Sequence, residues 1–181
     1  MFEAKSSDLP ILNAFIEGMG IELETETNCM NIDELNSTGS SDYYLLRYGC
    51  AVKLRDFLLI KQNQQRIDSL HLEFGLFQEV KLSPDGKNLA FLFARNEMNR
   101  VIRSNILIMD VENFIELELE NEIQAFEYPI LDYQWVDNGT IQVMIPELEE
   151  YSFDQIDKWN HSSEANKQVK QLNIKIKDSS A

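Results

Sequence analysis

The chain has 181 residues, 44% of them apolar and 26% charged, and a formal net charge of −15. That length can bury a core without disulfides or metal, so one domain over 1–181 is expected, and the composition excludes wholesale disorder. No run approaches the roughly 20 apolar residues a membrane helix needs, and Met1-Phe2-Glu3-Ala4-Lys5 lacks the basic and apolar regions of a signal peptide. No membrane partner and a cytoplasmic location are the expectation.

Asp8-Leu9-Pro10 reads as a helix start, with Asp8 as N-cap and Pro10 in the first turn, where its missing N–H costs nothing. Leu9, Leu12, Phe15, Ile16 and Met19 follow at helical spacing, and Gly18 or Gly20 can end the helix. Period two then appears in Ile21 to Glu26, with Glu22, Glu24 and Glu26 on one face. Asn28 to Asp42, rich in Asn, Ser, Thr and Gly, reads as a mobile surface loop. Tyr43 to Gln62 favours strands, with a helix over 51–64 as the alternative.

From Ser69 the strand signals become regular: 70–74, 77–82, 88–93, 104–110, 114–120, 123–126, 133–135 and 140–145. Ser83-Pro84-Asp85-Gly86 and Asp137-Asn138-Gly139 are turn signals, the second a tight-hairpin signature. Phe153 to Gln171 reads as a polar helix, Leu172 to Lys177 as a final strand, and 178–181 as a disordered tail. The predicted class is α+β: mainly antiparallel sheet in a meander of hairpins, with an N-terminal and a C-terminal helix.

The segment Val80-Lys81-Leu82-Ser83-Pro84-Asp85-Gly86-Lys87-Asn88-Leu89-Ala90-Phe91, running on to Ile106-Leu107-Ile108-Met109-Asp110, resembles a blade of the TolB-type β-propeller. A weaker echo runs from Leu131 to Ile141. A closed propeller needs at least about four blades, so the resemblance implies two successive antiparallel sheet units and not a full propeller. Its physical content is a turn: Pro84 fixes φ, Asp85 tolerates the geometry and Gly86 supplies positive φ.

Charge is blocky. Residues 1–46 carry a net −8, 47–103 a net +4, 104–157 a net −14 and 158–181 a net +3. Ser104 to Asp157 holds fourteen acids and no Lys or Arg. Such a surface accelerates encounter with a basic partner and disfavours direct nucleic-acid binding, which requires clustered cations.

Catalytic equipment is sparse. His71 and His161 stand in no metal-ligand spacing, no glycine-rich phosphate loop or Gly-x-Ser-x-Gly elbow occurs, and no calcium-loop signature is present. Cys50 reads as a structural thiol, and Cys29 and Cys50 are expected to be reduced in the cytosol. No enzyme activity, metal or cofactor is expected.

Two acidic groups remain as candidate partner-binding residues. Glu116, Glu118 and Glu120 form one strand face. Glu147, Glu149, Glu150, Asp154 and Asp157 surround Tyr151 and Phe153, and with Tyr128 they offer aromatic anchors among carboxylates. A small acidic chain without catalytic residues resembles the bacterial immunity proteins that neutralise nuclease toxins, including those of contact-dependent growth inhibition. That resemblance implies an inhibitor whose acids occupy the basic cleft of a cognate toxin nuclease domain or a nearby exosite. The rival expectation is a sheet scaffold or adaptor in a cytosolic complex.

Overall fold

In the computed structural model, which describes residues 8–19, 30–35, 43–51, 54–62, 66–72, 75–120 and 126–177, the chain divides into two compact units, 1–75 and 76–181. The predicted strand 21–26 with Glu22, Glu24 and Glu26, the strand residues 123–125, Cys29 and the tail 178–181 lie outside the described residues.

The first unit joins helix α1 (Pro10–Met19) to an antiparallel sheet of β1 (Met30–Glu34), β2 (Tyr43–Ala51), β3 (Leu54–Gln62) and β4 (Ile67–Leu72), in that order. Pro10 occupies the first helical position, and the Leu9 carbonyl accepts the first helical bond from the Asn13 N–H at 2.9 Å. The cap therefore falls on Leu9, one residue later than Asp8. Leu9, Leu12 and Ile16 form the buried stripe of the helix and pack on Tyr44, Leu46, Tyr48, Leu58 and Ile60.

The four consecutive apolar residues Phe57 to Ile60 are all no more than 3% exposed. A strand buried on both faces accommodates that run, whereas an amphipathic helix over 51–64 would leave part of it in water. Within the segment read as a loop, residues 30–34 instead form β1, with Ile32 opposite Leu46. Ladder hydrogen bonds to β2 outweigh the polar composition there, because strand propensity depends on the pairing surface.

The second unit contains two sheets in succession. β5 (Leu76–Leu82), β6 (Asn88–Glu97), β7 (Val101–Asp110) and β8 (Ile115–Leu117) form an antiparallel meander. β9 (Asp132–Trp135), β10 (Thr140–Pro146) and β11 (Val169–Lys175) form the other sheet, in the order β11-β10-β9. Helix α2 (Phe153–Asn160) lies in the connection between β10 and β11. The α+β reading and the two successive sheet units are both present, with no closed barrel or propeller among the described residues.

The core of this unit is the facing pair of sheets: Ala90, Leu92, Ile106 and Ile108 against Tyr133, Ile141, Val143, Ile145 and Ile174. Their alternation along each strand is what places them on one side. Tyr133 ties the sheets, donating its hydroxyl to the Ala90 carbonyl at 2.9 Å while Lys81 Nζ lies 4.3 Å from its ring and donates to its carbonyl at 2.6 Å.

The β5–β6 turn follows the expected chemistry. Gly86 has φ of +73°, the Ser83 hydroxyl donates to Asp85 Oδ1 at 2.7 Å, and the Asn88 N–H donates to Ser83 Oγ at 2.9 Å. Asp137-Asn138-Gly139 also joins two paired strands, but as part of a four-residue connection in which Asp137 Oδ1 accepts the Gly139 N–H at 2.8 Å. An Asp side chain that mimics a backbone acceptor removes the need for the positive φ of a two-residue turn. Positive φ appears at Met98 (51°) and Asn99 (58°) instead, in the β6–β7 turn, which the Arg100 N–H closes on the Glu97 carbonyl at 3.0 Å.

Two expected elements are shorter. The strand predicted over 114–120 is reduced to 115–117, because Phe114 takes a positive φ of 58° and ends the turn that Asp110 caps. The predicted helix 153–171 stops at Asn160. His161, Ser162 and Ser163 compete for backbone bonds, as Ser162 Oγ does by donating to the Trp159 carbonyl at 2.7 Å. From Val169 the chain pairs with β10.

Candidate partner-binding surface

All the candidate residues lie in the second unit, where β11 separates them into two groups. At one end the Glu147 N–H donates to the Gln168 carbonyl at 2.9 Å. At the other, the Glu120 N–H donates to the Lys175 carbonyl at 2.8 Å and the Lys177 N–H to the Glu118 carbonyl at 2.9 Å. The span of β11 between them is roughly 20 Å at about 3.3 Å per residue. The structure therefore does not bring Glu116, Glu118 and Glu120 together with the 147–157 cluster.

Glu116, Glu118 and Glu120 are exposed, as their alternation with Ile115, Leu117 and Leu119 implies. Glu118 is engaged: Lys177 Nζ lies 2.9 Å from its Oε2, and that hydrogen bond and charge hold its carboxyl below the usual glutamate range. The basic C-terminal block of the sequence thus returns to part of the acidic block.

The second group differs in character. Glu147, Glu149, Glu150 and Asp154 are exposed, and none has an ion-pair partner among the described residues. They flank half-buried Leu148, Tyr151 and Phe153. Tyr151 is fixed by donating its hydroxyl to the Pro146 carbonyl at 2.7 Å and meets Tyr128 edge-on, with ring centres 4.5 Å apart. Tyr128 is held in turn by a bridge to β7, its carbonyl accepting the Ser104 N–H at 2.7 Å. Burial, reinforced by Glu127, pushes the Tyr128 hydroxyl above its ordinary range.

Asp157 stands apart. It is 9% exposed, and its carboxylate accepts from Arg100 through Nε at 3.1 Å and through Nη2. Arg100 also lies 5.7 Å from the Phe153 ring, and Asn160 Nδ2 donates to its carbonyl at 3.1 Å. Asp157 and Phe153 thus anchor α2 to the β6–β7 turn, leaving Asp154 as the outward acid of that helix.

A shallow cleft of about 200 Å³ adjoins the exposed acids, lined by Glu147, Leu148, Gln155, Lys158, Trp159 and Gln168 among others. Sequence reading passed over Trp159, which is brought to the site by the turn of α2 and by its Nε1–H bond to the Gln168 carbonyl at 3.2 Å. An indole at that position of an amphipathic helix was the available signal. Among the described residues, no group of three or more His, Cys, Asp or Glu side chains is placed to hold a metal ion, and no helix is long and apolar enough to cross a membrane. No protein-family profile matches the chain, and neither the curated proteins nor the solved structures contain a match.

Proposed function

We propose that this chain is a non-catalytic immunity protein of the bacterial cytoplasm, which binds and neutralises a basic toxin domain, a nuclease of the contact-dependent growth inhibition type, through the 147–154 surface. The observation that carries the reading is the set of exposed carboxylates on Glu147, Glu149, Glu150 and Asp154, which make no ion pair among the described residues, beside a Tyr151 ring held by Tyr128 and by the Pro146 carbonyl, with Lys170 Nζ 5.5 Å from its centre. Charge complementarity of this kind raises the association rate and rejects acidic partners, while the fixed aromatics limit the ordering cost of binding.

Acids that occupy a nuclease's basic cleft exclude its phosphate substrate by taking the same cations. The test is co-expression with the product of the adjacent open reading frame, followed by purification and a nuclease assay. A one-to-one complex without nuclease activity is expected. Absence of a complex overturns the proposal, and a stable complex that still cleaves nucleic acid replaces it with a scaffold.

A further inference from the structure

The cleft beside Trp159 has the dimensions and walls of a side-chain receptor. Cofactor and small-molecule sites run to about 300–1,000 Å³ and are largely enclosed, whereas this cleft holds about 200 Å³. Its walls are held by one acceptor: the Gln168 carbonyl takes both the Glu147 N–H at 2.9 Å and the Trp159 Nε1–H at 3.2 Å. The carboxylate-bearing residue, the indole and the residue leading into β11 are thereby fixed relative to one another before any partner arrives.

The indole already attracts a cation, since Lys167 Nζ lies 5.3 Å from the Trp159 ring centre while also pairing with Glu164 at 2.8 Å. Leu148 adds an apolar wall, Gln155 and Asn166 add amides, and Glu147 supplies the negative charge. Among the described residues that line the cleft Lys158 is the one cation, and both it and Lys167 over the indole work against a positive occupant. Four exposed acids, Glu147, Glu149, Glu150 and Asp154, set the sign of the neighbourhood against them.

We propose that this cleft receives an arginine side chain of the protein partner, with the aliphatic stem along Leu148 and Trp159 and the guanidinium at Glu147. The inference rests on the proposed function and narrows it to one anchoring contact. Arginine suits the site better than lysine because a planar guanidinium both stacks on an indole and donates in parallel to a carboxylate. Such fixed, partly desolvated pockets are where a few residues supply most of an interface's affinity.

The test needs no knowledge of the partner. The full chain is titrated with a capped glycine–arginine–glycine peptide while the two indole N–H resonances, assigned with Trp135→Phe and Trp159→Phe, are followed by NMR. A saturable shift of the Trp159 resonance alone is expected, at a roughly millimolar dissociation constant, as befits a single small anchor. Glu147→Gln should weaken it about ten-fold and Lys158→Gln should strengthen it, directions that follow from a cationic occupant. Equal shifts with a glycine–glutamate–glycine peptide, or a response unchanged in folded Glu147→Gln, overturn the inference. Either result leaves the proposed function to the toxin complex, which is scored separately by nuclease inhibition.

Discussion

Arg100, in the turn between β6 and β7, grips the carboxylate of Asp157, 57 positions later on α2. The partners are unequally buried: the Asp157 side chain is 13% exposed and that of Arg100 57%. Removing the arginine leaves that buried carboxylate only His161, whose Nδ1 lies 3.5 Å from Asp157 Oδ1, whereas removing the aspartate releases an arginine that water can solvate. Arg100→Ala should therefore cost about 2–3 kcal/mol and Asp157→Ala about 1–2 kcal/mol, measured by urea unfolding. Equal losses would show that the pair acts as an exposed ion pair.

Two tyrosines make stability sensitive to alkali. Burial, with Asp56 adding to it, pushes the Tyr48 hydroxyl from 10.0 up to about 12, and burial pushes Tyr133 higher still. Both values are raised in the folded state, so their contribution is complete below the unfolded value near 10 and is lost as pH rises through the folded values. Unfolding monitored by circular dichroism should set in between pH 10 and about 12. Tyr48 and Tyr133 should remain un-ionised at pH 11 in the native protein, read as a phenolate absorbance short of full ionisation. Full ionisation of all six before unfolding would contradict this.

The β6–β7 turn carries removable strain. Met98 has φ of 51° and is 83% exposed, so its side chain gains little from packing while its Cβ opposes the left-handed backbone. Met98→Gly should stabilise the protein by about 0.5–1 kcal/mol, seen as a higher midpoint in thermal unfolding. Met98→Val should do the opposite, since β-branching is least compatible with that backbone.

The separation of the acidic groups along β11 gives the interface a control within the same molecule. Reversing Glu147, Glu149 and Glu150 to Lys should slow association with the cognate basic domain about ten-fold or more at low salt. The same charge change at Glu116, Glu118 and Glu120 should have a distinctly smaller effect, and high salt should compress the difference. Stopped-flow mixing decides it. Equal slowing by both sets would mean that only total charge matters.

The Ser83 hydroxyl, followed by the Lys87 N–H, holds the Asp85 carboxyl below its usual range. Ser83→Ala should let that carboxyl titrate at a higher pH in an NMR titration. No change would assign the depression to the backbone of the turn alone.

Much of the second unit was legible because its strands alternate cleanly. Asn88–Phe93 and Thr140–Ile145 begin at the predicted residues, and Pro84-Asp85-Gly86 forms the turn its chemistry specifies. The misses have physical causes. Met98-Asn99 lacks the Gly or Pro that marks the β5–β6 and β9–β10 turns; Asn99 tolerates its positive φ, whereas that of Met98 is imposed by the pairing of β6 with β7. β1 is a strand only because β2 lies beside it. Asp157 reads as another hydrated acid of a charged run, and nothing local reveals that its counter-ion is Arg100. Trp159 stands out locally only as an indole on the amphipathic α2, and what makes it a site residue is its bond to the Gln168 carbonyl, nine positions later.

The pairing of β10 with β11 spans the whole α2 connection, whereas among the described strands β5 through β8 pair with their sequence neighbours. During synthesis the meander can zip up in the order in which it leaves the ribosome. The second sheet must wait until Val169–Lys175 has emerged, leaving Ile141, Val143 and Ile145 without their final neighbour in the interim. The second sheet therefore closes a longer loop than any step of the meander, and the cleft at Glu147 and Trp159, which is tied to Gln168, forms only with that closure.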